Sequence, residues 1–246
     1  MIYITGDTHG EFERIEEFCR EHNTTKQDVL IILGDVGLNY YGGWRDHHRK
    51  KKVSRLPITL FCIHGNHEER PWLASSNYIS DIWCDGQVFY EPEFPNILFP
   101  VDGAVFNFNG VHAIVIGGAY SVDKYYRLEC GYSWFLSEQP DDATKKYVES
   151  VLEWNDQQID VVLSHTCPMN DRPVDCFLPM IDQSTVDTST EEWLQKIQDQ
   201  IVYGRWYAGH YHVDRLTPNV RLMFNDVIQF PTKEEIYADC LRARSK

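Results

Sequence analysis

Met1-Ile2-Tyr3-Ile4-Thr5-Gly6-Asp7-Thr8-His9-Gly10 opens the chain with a short apolar run that breaks into glycine, carboxylate and imidazole. It reads as a buried strand entering a functional loop. The same order recurs down the chain. Val29–Leu33 runs into Gly34-Asp35, and Ile58–Ile63 is followed by Gly65-Asn66-His67-Glu68. Val161–Leu163 runs into Ser164-His165, and Trp206–Ala208 into Gly209-His210-Tyr211-His212. Five apolar runs thus end in residues able to bind a metal. If the strands are parallel neighbours, these residues meet at one edge of a sheet, and open α/β sheets bind ligands beyond the carboxyl ends of their strands.

Helical patterns separate the early runs. Phe12, Ile15, Phe18 and Cys19 recur at helical spacing, and residues 44–55 follow as a second expected helix. The alternation argues for an α/β core. The middle of the chain reads differently: Val105–Phe108 and Val111–Ile116 flank Asn109-Gly110, a strong hairpin signal. Upstream, residues 87–99 favour strand but are interrupted by Pro92 and Pro95, so antiparallel strands are expected here. Helices are expected again at about 141–155, opened by Asp141 and Asp142, and at about 189–201, where Thr188-Ser189-Thr190-Glu191 has the pattern of a capping box. Residues 166–187, with three prolines, form a long connection of the kind used as a functional loop or lid. The last strands are expected within 220–230, and the tail after Glu235 reads as helical and basic.

A chain of 246 residues is enough for one domain, expected to span 1–246, with a substantial core. Its 43% hydrophobic and 24% charged residues are ordinary for a soluble globular protein. No apolar run is long enough to span a membrane, and the first residues lack the pattern of a signal peptide, so a cytoplasmic protein without membrane partners is expected. Seven scattered cysteines with no Cys-x-x-Cys pair fit reduced thiols better than disulfides or structural zinc. The net charge of −14 disfavours an extended nucleic acid as partner. Against that average, residues 45–55 hold Arg45, Arg49, Lys50, Lys51, Lys52 and Arg55 beside one acid, Asp46. The run reads either as a solvated helix face or as a guide for a phosphorylated substrate.

The residue types at the five strand ends suit a dinuclear hydrolytic site, which needs carboxylate, imidazole and amide oxygen donors with glycines that leave the metals accessible. In this order, from Asp7 to His212, the set resembles the calcineurin-like metallophosphoesterase superfamily. The resemblance implies an α/β fold of two packed mixed β-sheets flanked by helices, a four-layer α/β/β/α sandwich with metals at one sheet edge. It implies a dinuclear-metal-dependent phosphoesterase, a phosphoric ester hydrolase in which hydroxide shared by two divalent ions attacks phosphorus in line. Asp7, His9, Asp35 and His212 would hold one ion; Asp35, Asn66, His165 and His210 would hold the other, with Asp35 bridging. His67 would bind no metal and would protonate or stabilise the leaving oxygen. Manganese is the expected metal, and iron, zinc or nickel suit the same donors.

The chain also departs from its relatives. The protein-phosphatase branch follows its second motif with Asp-Arg-Gly, whose arginine holds phosphate. Here Leu38 and Asn39 occupy those places, so a charged fork gives way to a neutral amide, and the aspartate that would orient His67 is missing there too. The leading reading is a phosphomonoesterase, protein-phosphatase-like or acting on a small molecule or nucleotide. Asn39 would then contact substrate, with Lys124, Arg127 or the 45–55 run replacing the lost charge. The alternatives are a phosphodiesterase or nuclease, whose substrate carries less charge, and a non-catalytic metal-binding scaffold, against which the undamaged ligand set and His67 argue. His64 reads as a packed or solvated neighbour of the site, and Cys167 as a packed thiol rather than a ligand.

Overall fold

The computed structural model describes residues 1–236 and 238. The apolar runs form strands, and their pairing divides them between two sheets. One sheet contains β1 (Ile2–Thr5), β2 (Val29–Ile32), β3 (Thr59–Cys62), β4 (Ile79–Trp83), β5 (Gly86–Tyr90) and β6 (Ile97–Pro100). The other is built on β7 (Val105–Phe108), β8 (Val111–Ile116), β9 (Gln158–Ser164), β10 (Val202–Ala208), β11 (Arg215–Leu216) and β12 (Arg221–Leu222). The last short strand, β13 (Ile228–Gln229), returns to the first sheet and pairs antiparallel with β1. The strand orders are β13-β1-β2-β3-β6-β5-β4 and β11-β12-β10-β9-β8-β7. Strands β1, β2, β3 and β6 run parallel, as do β8, β9, β10 and β12, so both sheets are mixed.

Cross-strand rows show how the layers form. Ile4, Ile31, Phe61 and Leu98 are register partners across the first sheet and face the second. Val115, Leu163 and Tyr207 form the matching row of the second sheet. The intervening residues point outward. Leu30, Leu60 and Ile97 pack with Ile15, Phe18 and Cys19 of helix α1 (Glu13–His22) and with Val53 of α2 (Gly43–Val53). On the far side, Ile114, Val162 and Trp206 pack with the later helices. Those helices follow α3 (Pro71–Ala74) and α4 (Lys124–Cys130); they are α5 (Asp142–Trp154) and α6 (Ser189–Gln200). The result is the expected four-layer α/β/β/α sandwich. Among the described residues, no helix is long and apolar enough to cross a membrane.

The hairpin forms where expected: Asn109 (φ 55°) and Gly110 (φ 89°) both take the left-handed backbone that a tight I′ turn needs. Asp141 caps α5 by accepting the Thr144 amide at 2.8 Å. The capping box expected at α6 does not form. Thr188 turns its hydroxyl to Glu192 Oε1 at 2.9 Å, while Glu191 is buried and accepts from the Thr166 hydroxyl at 2.7 Å. The expected basic helical tail lies mostly outside the described residues.

Phe61 is wholly buried between the sheets and meets Phe106 edge to face at 4.8 Å between ring centres. Phe61→Ala is expected to lower stability by about 3–5 kcal/mol. Urea unfolding would show this as a lower midpoint at unchanged slope, and a loss below about 1 kcal/mol would mean the sheets close over the gap.

Candidate metal centre

Five of the strands end in the loops that build the site. Because β1, β2 and β3 belong to one sheet and β9 and β10 to the other, the residues do not meet on one sheet edge, as parallel neighbours would. They meet where the carboxyl ends of both sheets converge. Reaching that point bends the backbone sharply: His9, Asp35, His210 and His212 adopt φ of 47°, 48°, 71° and 52°, in the left-handed region that non-glycine residues rarely occupy. Two glycines are needed for close approach. A Cβ on Gly65 would lie 2.0 Å from Asp35 Oδ1, and one on Gly34 2.1 Å from His165 Nδ1.

Asp7 and Asp35 are both 2% exposed. Asp7 Oδ1 accepts the His210 amide at 3.0 Å, whereas Oδ2 has no hydrogen-bond partner and lies 3.3 Å from His212 Nε2. His9 Nε2 faces His212 Nε2 at 2.8 Å and sits 3.7 Å from Asp35 Oδ2. Asp7, His9 and His212 form one set of converging donor atoms; Asp7, Asp35 and His165 form a second. His165 Nδ1 lies 2.7 Å from the Leu33 carbonyl, which can only accept, so this nitrogen carries the proton. In the neutral ring, Nε2 then turns its lone pair toward Asn66 Oδ1 at 2.8 Å, with Asp35 Oδ1 3.6 Å away. The Asn66 amide nitrogen is already used, donating to Ser121 Oγ at 2.9 Å. An orphaned carboxylate oxygen and opposed lone pairs on imidazole and amide oxygen are what divalent cations satisfy, so these residues fit two metal ions. The His210 ring packs 5.0 Å from that of His165, within reach of the same centre.

The electrostatics point the same way. Burial by itself raises the Asp35 carboxyl, but the surrounding imidazoles of His165, His67 and His9 outweigh it and hold the group well below the usual carboxylate range. Asp7 is lowered in the same manner, its burial outweighed chiefly by His212. Burial, then His165, pushes His210 down to about 3, which keeps it a neutral donor. Behind the centre, Glu68 accepts the Gly65 amide at 2.9 Å and the Gly37 amide at 3.3 Å, tying the second and third loops together. Burial and the neighbouring Asp35 raise its carboxyl to about 8.

His67 stands beside the centre. Its amide donates to Asp35 Oδ1 at 2.8 Å, and its ring lies edge to face with His9, 5.3 Å between centres. His67 Nε2 faces Asp123 Oδ1 at 3.9 Å, and that oxygen has no hydrogen-bond partner. The same oxygen lies 3.7 Å from Arg127 Nη1, so Asp123 stands between His67 and Arg127.

The expected substrate contacts fall elsewhere. Asn39 is buried, with Oδ1 accepting from the Tyr78 hydroxyl at 2.8 Å. Lys124 lies over the Trp134 ring at 4.1 Å. Arg127 is 2% exposed and donates to Ser121 Oγ and the Ser133 carbonyl, a layer behind Asn66 and His67, with Nη2 lacking a partner. None of the three lines the cavity over the metal centre. The 45–55 run is also partly structural: Lys50 is buried against Glu91 at 3.0 Å, and Arg49 donates to the Gly37 carbonyl at 3.1 Å. His64 is packed, with Nε2 3.1 Å from the Ser137 carbonyl, and Cys167 is a buried thiol whose pKa burial raises.

The cavity has a volume of about 590 Å³ and runs from His9, Asp35, Asn66, His67, His210 and His212 to a wall supplied by the 166–187 connection. Arg172, Phe177, Leu178 and Ile181 of that connection line it, as do Glu191 and Tyr211. The sequence marked the connection by its length but not the cation within it.

Among solved structures, TT1561 of Thermus thermophilus is 13% identical, covering 91% of this chain and 87% of its own, with a TM-score of 0.50. A second solved structure is 12% identical and covers 90% of this chain and 88% of its own, with a TM-score of 0.49. At 13% identity the likeness to TT1561 shows the fold alone. No curated protein matches the sequence. The family model for calcineurin-like phosphoesterases matches residues 1–214, which takes in every loop of the centre, and the chain belongs to that family of metal-dependent phosphoesterases.

Proposed function

We propose that the protein is a dinuclear-metal phosphomonoesterase acting on a small phosphorylated molecule. The observation that carries this reading is the convergence of Asp7, His9 and His212 with Asp7, Asp35 and His165 on one point, with His67 standing beside it and outside both sets. Asn66 and His210 complete the donor sets, and Asp35, within 3.7 Å of His9 and 3.6 Å of His165, is placed to serve both. Two divalent ions held there would lower the pKa of water and offset charge on the phosphoryl oxygens.

The protein's own groups do the rest. Glu68 and the left-handed turns hold the carboxylates in place without needing the substrate to organise them. His67 serves the departing ester oxygen; burial holds its imidazole below the usual range, and the carboxylates of Asp35 and Asp123 partly offset this in favour of the charged form. Arg127 fixes Ser121, which in turn orients the Asn66 amide. Preference for a small monoester is supported by the walled cavity and by a net charge of −14, which opposes a long polyanion.

Turnover of p-nitrophenyl phosphate beside bis-p-nitrophenyl phosphate, with manganese-loaded protein, tests the reading: the monoester is expected to react faster, and a preference for the diester would overturn it. Asp35→Asn is expected to lose bound metal and nearly all turnover, as read by elemental analysis and rate; wild-type metal content in that variant would remove Asp35 from the centre. His67→Ala is expected to keep its metal and lose rate by roughly 10²–10⁴-fold. The loss should be larger for phenyl phosphate than for p-nitrophenyl phosphate, and an equal loss on both would show that His67 does not serve the leaving group.

A further inference from the structure

The end of the cavity walled by the 166–187 connection has a chemistry of its own. The rings of Phe177 and Tyr211 stack on one another, 15° apart with centres separated by 5.9 Å, and form an aromatic pair in the cavity wall. Leu178, Ile181 and Val186 extend the apolar lining. Set into this wall is Glu191, only 4% exposed. Its Oε1 accepts from Thr166, while Oε2 has no partner at all. A buried acceptor without a donor is costly, and a ligand group that donates to it relieves that cost. Burial raises the Glu191 carboxyl, and the facing Arg172 partly offsets this. Arg172 lines the same end, with its guanidinium 5.7 Å from the centre of the Phe177 ring.

Resting on the phosphoesterase reading above for the chemistry at the metals, we propose that this end of the cavity binds the heteroaromatic base of a nucleoside monophosphate, packed against the Phe177–Tyr211 pair and read by Glu191 and Arg172. An acceptor beside a donor matches the mixed N–H and carbonyl or ring-nitrogen edge of a nucleobase. A bare sugar offers hydroxyls to Glu191 but no apolar face to the Phe177–Tyr211 pair, Leu178, Ile181 and Val186. A phenyl ring could stack but carries no donor for Glu191. A site built around a buried polar group discriminates strongly against ligands that lack its complement. The volume of about 590 Å³ lies within the range of small-molecule sites.

Two measurements on the full chain test the inference. In the first, adenosine, guanosine, cytidine, uridine and ribose, none of which carries a phosphate ester to turn over, are titrated calorimetrically into manganese-loaded protein. At least one nucleoside is expected to bind with a Kd of about 1 mM or tighter while ribose gives no heat. Phe177→Ala and Glu191→Gln are each expected to weaken that binding by about tenfold, the second because an amide donor replaces the free acceptor. In the second, kcat/KM for the matching nucleoside 5′-monophosphate is compared with that for ribose 5-phosphate on manganese-loaded protein. The nucleotide is expected to be favoured by about tenfold, mainly through KM, and the ratio should fall toward one in both variants. Nucleosides that bind no better than ribose, or binding that neither substitution weakens, would overturn the base site. Turnover of p-nitrophenyl phosphate without any nucleotide preference would sink the base site and leave the metal chemistry standing; nucleoside binding without turnover of any monoester would do the reverse.

Discussion

Two carboxylates buried where two sheets meet set the terms for the rest of the molecule. Asp7 and Asp35 are almost entirely shielded from water, and an unpaired buried anion is expensive enough that the fold must surround it with compensating groups. It does so with imidazoles drawn from four loops, with backbone amides from His67 and His210, and with the lone-pair donors that suit a cation. Placing those groups requires left-handed turns at His9, Asp35, His210 and His212, each a conformation that costs of order 1–3 kcal/mol. The packed core beneath the loops, with rows such as Ile4, Ile31, Phe61 and Leu98, supplies the rigidity that keeps such turns in place.

The parts of this design that were legible in the sequence share one property: they are local. A short apolar run followed by glycine and a ligand-type residue marks a strand end wherever it occurs, so the residues that converge on the centre could be named from Asp7 to His212. The Asn109-Gly110 hairpin and the Asp141 cap were readable for the same reason. Which strand lay beside which was not local. The runs in β2, β3 and β9 are buried on both faces, so apolar residues follow one another without alternation, and nothing in Leu30-Ile31-Ile32 reveals which side chain meets a helix and which meets the other sheet. The two-sheet arrangement came from the family resemblance rather than from periodicity.

The same limit explains the substrate contacts. Asn39, Lys124 and Arg127 were singled out by motif position or by charge, but a long side chain can turn away from the loop that carries it. Tyr78, Trp134 and Ser121 hold all three away from the cavity. Asp123 matters through His67, a neighbour distant in sequence, and Glu191 carried a misleading signal: its spacing from Thr188 suggested a helix cap, whereas the nearby Thr166 hydroxyl claims it. Polar side chains with several candidate partners are settled by tertiary packing, and sequence spacing supplies only one of those candidates.

The pairing of β13 with β1 bears on how the chain is made. Strand β1 leaves the ribosome long before β13, so its outer edge stays open until residues 228–229 arrive to cover it. The opposite edge finds β2 early, through a register only about one helix away in sequence. An open strand edge is a template for pairing with foreign strands, and contacts this far apart in sequence form slowly. Between the synthesis of β1 and that of β13 the nascent protein therefore carries an uncovered border on the strand that leads into Asp7, which makes timely arrival of β13 part of producing an intact centre.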